Sequence, residues 1–117
     1  IYYQKKELLT ARNQLDKMVF TENVLNRESI FSLRAKLNYE LYLQERSDDF
    51  YLITEKEYLK LIDDFKSSER LETYFIQLLK LYNYKADADK ISKLKEKATN
   101  LDGVDEKIKE IILSYFN

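Results

Sequence analysis

Five arginines, Arg12, Arg27, Arg34, Arg46 and Arg70, are the side chains of this sequence best suited to recognition. A guanidinium offers a planar fork of donors that matches a carboxylate. Each can therefore pair an acidic group of a ligand or a carboxylate on a neighbouring helix. Carboxylates themselves occur as adjacent pairs, Asp48/Asp49 and Asp63/Asp64, and paired carboxylates are a means of general acid–base chemistry. Neighbours along a helix do not face one another, so Asp63 and Asp64 make a poor dyad. The absence of histidine and cysteine removes the commonest general base, the commonest metal ligand, thiolate metal sites, cysteine nucleophiles and disulfides. A diiron bundle with its Glu-x-x-His motif is ruled out by the same count. No phosphate loop, dinucleotide fingerprint or calcium loop is present. The expectation is a segment with no catalytic residues, no cofactor-binding residues and no metal ligands, hence not an enzyme.

Ten tyrosines are many for this length. Tyr39, Tyr42, Tyr51, Tyr58, Tyr74, Tyr82 and Tyr84 could line an aromatic pocket or an interface, since each ring is apolar with a polar tip. The plainer reading is core and boundary packing. The formal net charge of −1 argues against a nucleic-acid partner, which ordinarily requires a basic face. Interleaved Lys and Glu, as in Lys95-Glu96-Lys97 and Lys109-Glu110, read as solvated helix faces.

The elements that carry these residues follow from what is scarce. One glycine, Gly103, and no proline in 117 residues leave too few turn residues for a hairpin-built sheet, so the fold class is all-α. The length suits one domain. Apolar periodicity predicts four helices arranged as an elongated antiparallel four-helix bundle: about 3–47, straight or bent near 26–29; 54–82; 86–99; and 103–116. Leu8, Leu15, Met18 and Leu25 recur at heptad-like spacing and form the expected dimer face of the first helix. Ser47-Asp48-Asp49 reads as a helix stop. Thr54 and Glu57 fit a T-x-x-E capping box, with Phe50, Leu52 and Ile53 in a buried extended link before it. Asn83 or Asp87 could cap the third helix, and Asp102 beside Gly103 the fourth.

The opening "IYYQKKELL" has the character of a membrane-interface flank, with tyrosine at the headgroups and lysine just outside. The alternative is a chance boundary. The run "TENVLNRESIFSLRAKLNYELYLQERSDDFYLITEKEYLKL" resembles the third class of CHASE domains, the extracytoplasmic four-helix sensors of bacterial and archaeal membrane receptors. Thr21, Val24 and Leu25 answer to the family's early threonine and V-L pair. Tyr51, Leu52, Ile53, Thr54, Tyr58 and Leu59 answer to its later Y-L-L-T…Y-L segment. Asp49-Phe50 stand where that family shows Arg-Gly, and Glu55 where it shows Gly. The resemblance implies a homodimeric sensor flanked by transmembrane helices, on the periplasmic or extracellular side of the membrane. Its ligand would be a small molecule or a protein, and its output domain a histidine kinase, diguanylate cyclase or chemoreceptor. The competing expectation is a soluble intracellular interaction or dimerisation module, such as an immunity protein, adaptor or regulator domain, which would place it in the cytoplasm.

Overall fold

The computed structural model describes residues 7–14 and 27–116. These residues are all-helical and form six helices. They are α1 (residues 7–14), α2 (Arg27–Glu45), α3 (Asp48–Asp64), α4 (Leu71–Tyr84), α5 (Ala88–Thr99) and α6 (Glu106–Ser114). The chain divides into two compact units, Ile1–Glu57 and Tyr58–Asn117, and the division falls within α3. In the first unit Leu8, Ile30, Ala35, Tyr39, Leu41, Tyr42 and Tyr51 are buried, and the Tyr42 and Tyr51 rings meet edge to face at 5.5 Å. In the second unit α4, α5 and α6 each pack on the other two. Leu71, Tyr74, Phe75, Leu78, Leu81 and Tyr82 supply the apolar stripe of α4, to which α5 adds Leu94 and Ala98 and α6 adds Ile112.

The joint between α2 and α3 is shorter than the sequence predicts. Helix α2 gives way at Arg46, a left-handed residue (φ 54°). Ser47 then caps α3 at once, its Oγ accepting from the backbone N–H of Asp49 at 3.2 Å. Asp48 and Asp49 lie in the first turn, where the positive end of the helix dipole favours carboxylates. The expected link is therefore helix, with Leu52 and Ile53 exposed rather than buried. Thr54 is no cap. It lies inside α3, fully buried, and its hydroxyl donates to the Phe50 carbonyl one turn back at 2.7 Å. Glu57 is likewise drawn away from the Thr54 backbone by partners on α2. Ser47→Ala is expected to cost about 1 kcal/mol, whereas Thr54→Val, which keeps the buried shape, should change stability by less than about 0.5 kcal/mol. Chemical denaturation of both variants separates the two assignments, since a cap at Thr54 would reverse the order.

The predicted helix 54–82 is interrupted at 65–70, where Ser68 Oγ accepts from the Arg70 N–H at 3.0 Å and the chain turns into α4. Of the two caps that the sequence allows for α5, Asn83 and Asp87, it is Asp87 that serves, its Oδ1 accepting from the Lys90 N–H at 3.1 Å. The last helix is capped not by Asp102 but by Asp105, whose Oδ1 accepts from the Lys107 N–H at 2.8 Å. Gly103 (φ 73°) takes the left-handed turn that precedes it.

Helix α4 closes in a Schellman arrangement. The Ala86 N–H donates to Asn83 O at 3.1 Å and the Asp87 N–H to Tyr82 O at 3.2 Å. Ala86 itself sits at φ 50°, where an L-residue with a Cβ is strained and glycine is the usual occupant. Ala86 is exposed, so Ala86→Gly loses no packing. It is expected to raise stability by about 0.5–1 kcal/mol, the strain relieved exceeding the extra entropy of the unfolded glycine. A thermal midpoint at or below that of the parent would rule out the left-handed turn.

Candidate functional site

A polar network joins the three helices of the first unit. Asn38 and Arg34 lie one turn apart on α2 and share a face. Arg12 reaches in from α1, and its Nη1 donates to Asn38 Oδ1 at 3.2 Å. On the other side Asn38 Nδ2 donates to Glu57 Oε1 of α3 at 3.1 Å. The same oxygen lies 3.2 Å from Arg34 Nε, in an ion pair whose side chains are 22% and 17% exposed. The charges fix the amide's orientation: its oxygen turns to a guanidinium and its nitrogen to a carboxylate, so every bond along the chain is charge-assisted. Asn38 is only 1% exposed, and a buried amide is tolerated when both of its ends are paired.

Two rings hold the guanidiniums. Arg34 lies over Phe31, one turn earlier on α2, at 5.0 Å, and Arg12 lies over Phe50 of α3 at 5.8 Å. Among the described residues the network thus joins side chains of α1, α2 and α3 through charge-assisted bonds.

The other sequence candidates do not converge. Asp48 and Asp49 open α3, Asp63 pairs with Lys97 at 2.6 Å on an open surface, and Asp64 is exposed. Among the tyrosines singled out by sequence, only Tyr84 is exposed, at 51%, so the group is mainly core rather than pocket. Tyr84 lines a shallow cleft of about 290 Å³ with Lys80 and Asn83 at the end of α4. Arg46 lies over the Tyr42 ring at 5.5 Å, and Arg70 occupies the start of α4. Of the expected dimer face, Leu8 is 1% exposed and belongs to the core. A side chain already buried within its own chain cannot also face a second copy. Leu15, Met18 and Leu25 lie outside the described residues. Sequence reasoning singled out Arg12, Arg34 and Glu57 but not Asn38, whose only signal was a polar residue on the apolar side of α2.

On the second unit, Ile108, Ile111 and Tyr115 form an exposed stripe along α6, at 38%, 45% and 48%. The Tyr115 hydroxyl donates to Glu72 Oε1 at 3.0 Å. That hydrogen bond, followed by the carboxylate's charge, raises the Tyr115 pKa above its ordinary 10.0. The contact therefore favours the neutral phenol; its contribution persists below the ordinary tyrosine range and disappears as pH rises through the raised value.

No helix among the described residues is long and apolar enough to cross a membrane, and none of their acidic side chains cluster as a metal site. Compared with protein-family models, with curated proteins and with solved structures, the chain matches none.

Proposed function

We propose that this chain is the extracytoplasmic sensor module of a membrane receptor, such as a histidine kinase, diguanylate cyclase or chemoreceptor. The observation that carries the reading is the Arg12–Asn38–Glu57–Arg34 network, which ties α1, α2 and α3 through groups that can exchange partners. A signalling bundle needs two packings of similar energy and a ligand that prefers one of them. Discrete polar pairs supply such alternatives, whereas a close-packed apolar interface resists continuous deformation. In this proposal the helices belong to an elongated antiparallel four-helix bundle. The module works as a homodimer through Leu15, Met18 and Leu25 and is flanked by membrane spans.

The test is a topology assay on the natural full-length protein. Alkaline phosphatase fused within this segment should be active and green fluorescent protein at the same site dark. The reading frame should carry apolar runs of about 20 residues on both sides. A fluorescent, phosphatase-silent fusion overturns the reading. The exposed stripe on α6 favours a second reading, a soluble intracellular helical interaction module whose partner covers Ile108, Ile111 and Tyr115. The same pair of fusions decides between the two.

A further inference from the structure

The sequence holds one glycine, and it follows an aspartate, Asp102-Gly103. Every other aspartate, and every asparagine before the last residue, precedes a residue with a side chain. An aspartyl–glycyl bond is the one most open to attack by its own backbone, because glycine has no Cβ to keep its nitrogen from the preceding carboxyl group. Folding blocks that attack where it fixes the main chain in a helix or engages the carboxylate. Neither protection is in place here. Asp102 and Gly103 are exposed and lie between α5 and α6, outside both helices. Among the described residues no hydrogen bond engages the Asp102 carboxylate or the Gly103 N–H. A Cβ added at Gly103 would meet none of their atoms within 4 Å beyond its chain neighbours, so the space around this peptide is open. Asp87 and Asp105 show the contrast, since the N–H groups of Lys90 and Lys107 hold their carboxylates.

We propose that Asp102 is a site of spontaneous isoaspartate formation, and hence a substrate for a carboxyl methyltransferase that recognises isoaspartyl residues. The Gly103 nitrogen gives up its proton and attacks Cγ of the Asp102 carboxyl group. A C–N bond forms, the Cγ–OH bond breaks, and one water leaves as a succinimide closes. One water then re-enters. Where it cleaves the new Cγ–N bond, aspartate returns; where it cleaves the original peptide C–N bond, the chain runs on through the side chain as isoaspartate. No oxidant, reductant or cofactor is consumed. The product adds one methylene to the main chain between Leu101, which is buried, and Asp105, whose carboxylate caps α6. This inference holds under either reading of the protein's function.

The experiment is incubation of the purified, folded chain at neutral pH and physiological temperature in water enriched in heavy oxygen. Digestion in ordinary water and mass spectrometry follow. Each passage through the succinimide leaves one heavy oxygen atom, so label should accumulate with time at Asp102. The tryptic peptide 86–90, with Asp87 and Asp89, should stay unlabelled. The labelled chain should accept methyl groups from S-adenosylmethionine in the presence of an isoaspartyl methyltransferase, and the fresh chain should not. Gly103→Ala should lose most of the label. Asp102→Glu keeps the glycine and its turn but would need a larger ring, so it should lose the label too, even if Gly103→Ala fails to fold. The folded chain should label at a rate comparable to that of an unstructured synthetic peptide of residues 98–107. No label at Asp102, equal label in peptide 86–90, undiminished label in Asp102→Glu, or labelling only of the free peptide would each overturn the site.

Discussion

Phe75→Ala is expected to destabilise the chain by about 3–5 kcal/mol, the range for removing a buried aromatic ring and leaving a cavity. Phe75 is 1% exposed near the centre of α4, between Tyr74 and Leu78, which are equally enclosed. Helix α4 packs against both α5 and α6, so two partner helices would have to move together to fill the gap. There are no disulfides, so the unit depends on non-covalent contacts such as these. Since small domains are stable by only about 5–15 kcal/mol, the substitution should remove at least about a fifth of the total. Ile111→Ala on the same unit is the matched control: Ile111 is 45% exposed, and its truncation should stay within about 0.5 kcal/mol. Urea denaturation with an unchanged slope would report both values. A loss below about 1 kcal/mol for Phe75→Ala would mean that α4 is not held in a packed three-helix core.

Much of this architecture was legible because it depends on local chemistry. The scarcity of glycine and proline and the apolar periodicity pointed to an all-helical chain, and Asp87 before Ala88 marked a helix start through a side-chain acceptor three residues from its donor. The errors have physical causes of their own. Ser47 both follows the end of α2 and starts α3, and residue type alone could not show that the two helices abut with no link between them. Thr54 and Glu57 have the right types and spacing for a capping box, yet a threonine hydroxyl inside a helix finds the carbonyl one turn back just as readily. The left-handed residues at Arg46 and Ala86 gave no signal, since glycine is what marks such positions in a sequence. The break before α4 was missed because a serine, without proline or glycine, makes that turn. The polar network was only partly legible. Its members come from separations of 26 and 19 residues, and no local pattern connects Arg12 to Asn38 or Asn38 to Glu57.

Asn38→Leu, similar in size and wholly apolar, should cost about 2–3 kcal/mol even though leucine is the better core residue. The amide sits between opposite charges, and each of its two bonds is polarised by the other. Removing it leaves Arg12 and Glu57 facing a side chain that offers neither an acceptor nor a donor. Water can repair part of the loss, because Glu57 keeps 17% of its side-chain surface exposed; the cost is therefore below that of a fully buried pair left incomplete. A double-mutant cycle isolates the network from the packing change. Arg12→Ala should be markedly less harmful in the Asn38→Leu background than in the parent, with a coupling of at least about 1 kcal/mol for residues that share a bond. Additivity within about 0.5 kcal/mol would show that the Arg12–Asn38 bond carries no stability. Strong coupling would mean that α1 is held to α2 through this one amide, whose other end is bonded to Glu57 of α3.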